Sequence, residues 1–171
     1  MNKKVIFGMM LVIILAFCGC VAYPERGHRG DQPGPQGPPY DFSISYQGHF
    51  SNIGWMDWVR DGEICGMEGG PQMEAIRITA HRLRIDYQAH VSQHGWLNVV
   101  SNGEMAGTTG QIRSLQAIKI WLVGAPRNVR IIYRTFVQGL GWQHWVSNGV
   151  VAGSTHQGRA IQAIQIRLEV R

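Results

Sequence analysis

One pattern recurs three times along this chain, and it constrains the fold more than any composition does. The first copy carries Tyr46, His49, Gly54-Trp55, Trp58-Val59, Asp61-Gly62, Gly66 and Glu74-Ala75-Ile76-Arg77-Ile78. The second carries Tyr87, His90, Gly95-Trp96, Val99-Val100, Asn102-Gly103, Gly107 and Gln116-Ala117-Ile118-Lys119-Ile120. The third carries Tyr133, Phe136, Gly141-Trp142, Trp145-Val146, Asn148-Gly149, Gly153 and Gln162-Ala163-Ile164-Gln165-Ile166. The Gly-Trp pairs advance by 41 and then 46 residues. A unit of that size cannot bury an apolar face alone, so the copies must pack on one another.

From Phe42 onward the apolar residues recur with period 2 rather than 3.6, which reads as strand. Ile118, Ile120 and Leu122 share one face of a strand, matched by Ile76 and Ile78 in the first copy and by Ile164, Ile166 and Leu168 in the third. That is the half-buried alternation of antiparallel sheets, and this face is assigned to the core. Asp61-Gly62, Asn102-Gly103 and Asn148-Gly149 are tight-turn dipeptides where two strands reverse. Four strands per copy are expected; in the second they lie around Tyr87, from Trp96 to Ser101, from Glu104 to Ala106 and from Leu115 to Leu122. The repeats run over about 44–79, 85–122 and 131–168 within one domain of residues 42–171. Such units suit an all-β, closed, pseudo-threefold fold that leaves no unpaired edge. Repeat length favours a β-trefoil, with a β-prism of three sheets as the alternative.

The start of the chain is set apart from this domain. Lys3 and Lys4 precede an apolar run from Val5 to Phe17, the make-up of an export signal over residues 1–19. The run is short of the roughly 20 apolar residues of a membrane span. Gly19-Cys20 resembles a bacterial lipobox, so Cys20 is the expected lipid-anchor residue, with Cys18 as a weaker option. Residues 20–41, with Pro33-Gly34-Pro35-Gln36-Gly37-Pro38-Pro39, read as a semi-rigid tether holding a domain clear of the membrane. The expected location is the outer face of a bacterial cell membrane, with plain secretion as the alternative.

Beyond the leader the formal net charge falls from +5 to +3, since only Lys3 and Lys4 are lost. Thirteen arginines stand against one remaining lysine, Lys119, and they read as spread along the chain. Arginine can fork onto phosphate or carboxylate on an anionic wall or membrane surface. Nucleic acid is not an expected partner, because the chain has no recognition motif and carries an export signal. Cys65 is the one cysteine beyond Cys20 and stands where the other copies have Ala106 and Ala152, which reads as a small buried slot.

The string Tyr-x-x-His, Gly-Trp-x-x-x-Val, Gly, Ala-Gly and Gln/Glu-Ala-Ile-x-Ile resembles the clostridial hydrophobic repeat with a defining tryptophan, the ChW repeat. The resemblance spans about residues 44–168 and is closest in the second copy. It implies an extracellular or surface-attached bacterial protein that serves as a binding or adhesion module. It brings no catalytic residue and no named ligand.

Trp55, Trp96 and Trp142 each follow a glycine and suit close packing, or else an exposed platform for sugar or peptide. Trp58 and Trp145 correspond to Val99, and that replacement favours burial for the slot. His49 and His90 match Phe136, and His94 matches Ile53 and Leu140, so both levels read as packed rather than metal-binding. Hydrogen bonds from His49 to Glu74 and from His90 to Gln116 are expected, with none in the third copy. Asp57, Asp61, Glu63, Glu68 and Glu74 are the one dense acidic group, but their pattern fixes no pair of catalytic carboxylates. No enzyme activity and no cofactor or metal is expected. The candidate ligand residues are Trp55, Trp58, Trp96, Asn102, Trp142, His144, Trp145, Asn148, Ser154 and Thr155. The third copy is the best single site, because it alone keeps both tryptophans, Asn148 and the Ser154-Thr155 loop. The expected partners are a glycan, a cell-wall polymer or a surface protein, together with the membrane through the anchor.

Overall fold

The computed structural model describes residues 41–171. The leader, Cys20 and the tether apart from Asp41 lie outside those described residues. No helix occurs among them; each repeat contributes five strands in one order. Repeat 1 gives β1 (Ser43–Phe50), β2 (Gly54–Trp55), β3 (Val59–Arg60), β4 (Ile64–Gly66) and β5 (Met73–His81). Repeat 2 gives β6 (Arg84–Val91), β7 (Gly95–Trp96), β8 (Val100–Ser101), β9 (Ala106–Gly107) and β10 (Leu115–Val123). Repeat 3 gives β11 (Val129–Val137), β12 (Gly141–Trp142), β13 (Val146–Ser147), β14 (Ala152–Gly153) and β15 (Ile161–Val170).

The expected strand from Trp96 to Ser101 is in fact two short strands. Trp96 pairs with His90 and Val100 with Tyr87, so four steps along one chain face three along the other. Leu97 N still bonds the Ala89 carbonyl, but the extra residue cannot join the ladder, and Asn98-Val99 lifts away from it. Repeat 1 breaks in the same way between Trp55 and Val59.

The strands form three sheets, in orders β2-β1-β5-β9, β7-β6-β10-β14 and β12-β11-β15-β4, with β3, β8 and β13 also pairing to β1, β6 and β11. Each sheet takes its last strand from the next repeat, and the third takes β4 from the first. The close approach this needs explains the second glycine of each copy. Gly66, Gly107 and Gly153 have φ of 102°, 120° and 111°, and a Cβ at any of them would overlap the carbonyl oxygen of Gln162, Glu74 or Gln116.

The inner faces hold the core. Ile76, Ile78, Ile118, Ile120, Ile164 and Ile166 are fully buried, as the alternation predicts, and Leu122 and Leu168 pack against them. Cys65, Ala106 and Ala152 fill one equivalent buried slot, and burial pushes the Cys65 thiol up to about 12. Three buried tyrosines tie the repeats together. Tyr46, Tyr87 and Tyr133 accept hydrogen bonds from the N–H groups of Ile166, Ile78 and Ile120, at 3.0, 3.1 and 3.0 Å. Each hydroxyl also donates to a carbonyl in its own hairpin, those of Glu63, Glu104 and Val150. Every tyrosine therefore links its own turn to a strand of the preceding repeat. Burial raises all three phenols, Tyr87 and Tyr133 to about 12.

Candidate binding surface

On the outer faces the register places Trp55 opposite His49, Trp96 opposite His90 and Trp142 opposite Phe136. The rings meet edge to face, with centroids 5.3, 5.3 and 5.6 Å apart. Phenylalanine keeps the geometry without a titratable nitrogen, so the slot is defined by ring packing. Beside it each long strand pair skips one residue, leaving Glu74, Gln116 and Gln162 unpaired in a β-bulge. A bulge re-aims its side chain. His49 Nδ1 lies 3.1 Å from Glu74 Oε2, and the Gln116 side chain reaches toward His90, whose Nδ1 is buried without a hydrogen-bond partner among the described residues. In repeat 3, where Phe136 offers no partner, the Gln162 amide donates to the Gly70 carbonyl instead. Burial holds His90 below the ordinary histidine value, and His156, with its ring centroid 6.0 Å away, adds to the effect.

A cation lies over each Gly-Trp indole. Arg77 is 4.4 Å from the Trp55 ring centre, Lys119 4.3 Å from that of Trp96 and Arg134 4.5 Å from that of Trp142. These are cation–π distances. Repeat 3 reaches the same result from the opposite strand. Gln47 pairs with Arg77 and Gln88 with Lys119, whereas at this rung Arg134 on β11 faces Gln165 on β15. Arg134 Nε also donates to Gln165 Oε1 at 2.7 Å. The cation and the amide have changed places across the ladder.

The Gly-Trp indoles are partly buried, which joins the packed and exposed readings. The burial expected for the Trp58 slot is corrected: Trp58 is 47% and Val99 48% exposed, because both lie in the segment that the extra residue lifts off the sheet. Trp145, at the same position, is partly buried. Two guanidiniums lie over its ring, Arg134 at 4.8 Å and Arg167 at 4.7 Å. The packing expected at the His94 level is corrected as well, since Ile53, His94 and Leu140 are exposed at turn tips.

The turn asparagines hold backbone. Asn102 Oδ1 accepts from Ile85 N at 3.0 Å and Asn148 Oδ1 from Ile131 N at 3.4 Å, while Asp61 Oδ1 accepts from Leu168 N at 2.8 Å in another repeat. His144 is exposed. Strand exchange also corrects the grouping of all the third-copy residues into one site. Ser154 N donates to the Gln116 carbonyl at 2.9 Å, so Ser154 and Thr155 follow β14 onto the second sheet, where His156 meets His90. Trp142 and Trp145 stay with the third. Above Trp142 stands a loop of repeat 1, whose Glu68 accepts from the indole N–H at 2.7 Å.

Along the chain the balance of charge is uneven, although strand exchange brings Asp61 and Glu68 of repeat 1 onto the third sheet. Residues 42–81 hold five carboxylates against Arg60 and Arg77, whereas residues 125–171 hold Glu169 alone against six arginines. On the third sheet an open groove of about 440 Å³ is lined by Trp145, Ser147, Arg130, Arg167 and Glu169 together with the apolar Ile132, Val146 and Val150. Arg130 Nε donates to Glu169 Oε2 at 2.8 Å and Arg167 Nη2 to Oε1 at 3.0 Å. These bonds, Arg130 foremost, hold the Glu169 carboxyl below the usual range. Arg130, Arg134, Arg167 and Glu169 were not among the residues expected from sequence. The alternation Arg130-x-Ile132-x-Arg134 was a visible signal of two arginines on one face of one strand.

A family model described as Clostridial hydrophobic W matches residues 49–79, 90–124 and 136–169, more than half of the chain. Comparison with curated proteins and with solved structures found no match.

Proposed function

Because the chain belongs to the Clostridial hydrophobic W family, we propose that it is a non-catalytic surface module that binds carbohydrate or cell-envelope polymer. The observation that carries this reading is Trp145, an indole flanked by Arg134 and Arg167 at the rim of an open groove. A sugar ring stacks its C–H face on an indole, and neighbouring guanidiniums donate to its oxygens; this is the mixed composition of a small polar-ligand site. Several carboxylates of repeat 1 have structural duties instead: Asp61 on Leu168 N, Glu63 on Arg60 N and Glu68 on Trp142. That favours binding over glycan hydrolysis.

Trp145→Ala is expected to abolish retention on wall polysaccharide while leaving the melting temperature nearly unchanged. Wall polysaccharide should also protect part of the tryptophan fluorescence from acrylamide. Absence of protection, with retention intact in Trp145→Ala, would refute the reading. A second reading, a protein-interaction or purely structural surface domain, draws on the three Gly-Trp indoles, each already covered by a cation and a ring edge. It would then be favoured.

The anchor belongs to the same proposal. Cys20 would carry diacylglycerol as the first mature residue and hold the module at the outer membrane face, each buried CH₂ contributing about 0.8 kcal/mol. Mass spectrometry of the mature N-terminus decides this, and an unmodified start at Val21 or later would exclude it. Three sheets with cyclic strand exchange also fit a β-prism better than the trefoil favoured from repeat length. Either label implies the closed pseudo-threefold body that this reading adopts.

A further inference from the structure

We infer that the groove beside Trp145 takes a glycan bearing negative charge, carboxylate or phosphodiester, and that repeat 3 alone provides this site. The inference rests on the glycan-binding reading and adds the charge and the place. Arg130, Arg134 and Arg167 gather around Trp145 and its groove, and Glu169 is the one carboxylate lining it. Arg130 and Arg167 share that carboxylate and Arg134 has none among the described residues, so the cluster keeps an excess of positive charge. Guanidinium forks match carboxylate and phosphate oxygens. A ligand with a sugar face and an anionic group meets both features; a neutral glycan meets one.

The other repeats sharpen the choice. A groove of similar size, about 430 Å³, lies beside Trp96, but its lining has no charged side chain, and Val99 stands where repeat 3 has Trp145. Repeat 1 has the matching indole, Trp58, in a sequence stretch with five carboxylates and two arginines. The carboxylates of repeat 1 are not confined to the first sheet, since Asp61 holds Leu168 N and Glu68 holds the Trp142 N–H. The preference for repeat 3 therefore rests on the guanidiniums over Trp145 and weakens with salt.

The test measures binding of the full-length chain to four probes: polygalacturonate, glucose-substituted poly(glycerol phosphate), dextran and inorganic polyphosphate. One of the first two should bind, identifying the source of the charge, and added salt should weaken it. Arg167→Gln and Trp145→Ala should each weaken that binding about tenfold, with melting temperatures kept. Arg60→Gln, an equal charge change on repeat 1, should leave it within about twofold. Dextran bound as tightly, and unaffected by Arg167→Gln, would overturn the charge inference and leave the glycan reading standing. Polyphosphate bound as tightly, and indifferent to Trp145→Ala, would overturn the glycan reading itself. Failure of all four probes would remove both. An equal loss in Arg60→Gln would remove the assignment to repeat 3.

Discussion

The inner and outer faces of the same three repeats follow different rules. Inside, Tyr46, Tyr87 and Tyr133 make the same two hydrogen bonds with the same type of partner, and no repeat departs from the scheme. Outside, the ring packing persists while the chemistry drifts. Histidine becomes phenylalanine, arginine becomes lysine, and the cation crosses from one strand to the other. A buried polar group has one arrangement that satisfies it, and leaving it unmade is costly. A half-exposed indole accepts any cation that reaches it. The interior therefore fixes the fold, and the exterior is where one repeat can differ in function from its neighbours.

The comparison breaks most visibly at high pH. All three phenols titrate above their ordinary value of 10.0, so the folded state holds these protons after the unfolded chain has released them. Their stabilisation is complete below pH 10 and is lost as pH rises toward about 12. With three groups acting together the slope reaches about 4 kcal/mol per pH unit. Urea midpoints taken from about pH 9 upward should fall steeply, in step with tyrosinate absorbance. A flat profile would mean that the tyrosines do not hold the repeats together.

Gly153→Ala comes next. Its new Cβ would meet the Gln116 carbonyl at a φ of 111°, and the second and third repeats would be forced apart, at a cost of about 3 kcal/mol by urea denaturation. Gly149→Ala, with nothing within 4 Å of its Cβ at φ 77°, should cost about 1 kcal/mol from backbone strain alone. Equal losses would deny the close approach. Tyr87→Phe is smaller, about 2 kcal/mol, because it leaves Ile78 N and the Glu104 carbonyl without their shared partner. It should also remove about one third of the alkaline slope.

Much of the inner face was legible in the sequence. The isoleucines at period 2, the turn dipeptides and the Cys65 slot are local patterns that recur, and recurrence fixes which positions are equivalent. It cannot say whether a strand pairs within its own copy or with the next. That is why the sequence pattern groups Ser154 and Thr155 with Trp142 although β14 carries them to the second sheet. The exposure of Trp58 depended on a count across strands, four residues against three, which only the register supplies. The groove was hidden for the same reason. Arg130 and Arg134 share a strand face in the sequence, but Arg167 and Glu169 join them only through the pairing of β11 with β15.

The smallest expected effect tests whether the outer face is as tolerant as its drift implies. Repeat 3 can be rewritten in the manner of the other two by exchanging cation and amide across one rung, Arg134→Gln with Gln165→Arg. Arg134→Gln alone uncovers Trp142 and should cost about 0.5 to 1 kcal/mol. The double variant returns a guanidinium to the Trp142 ring from β15, as Arg77 and Lys119 do from β5 and β10, so its stability should lie within about 0.5 kcal/mol of the parent. A coupling energy near zero would show that the cation over the indole contributes nothing to folding. Trp145 responds differently. It shares Arg134 with Trp142, and the swap leaves it with Arg167 alone of its two cations. The double variant should therefore keep its melting temperature and still lose affinity for an acidic glycan. A variant that recovered both would place the ligand on Arg130 and Arg167 alone.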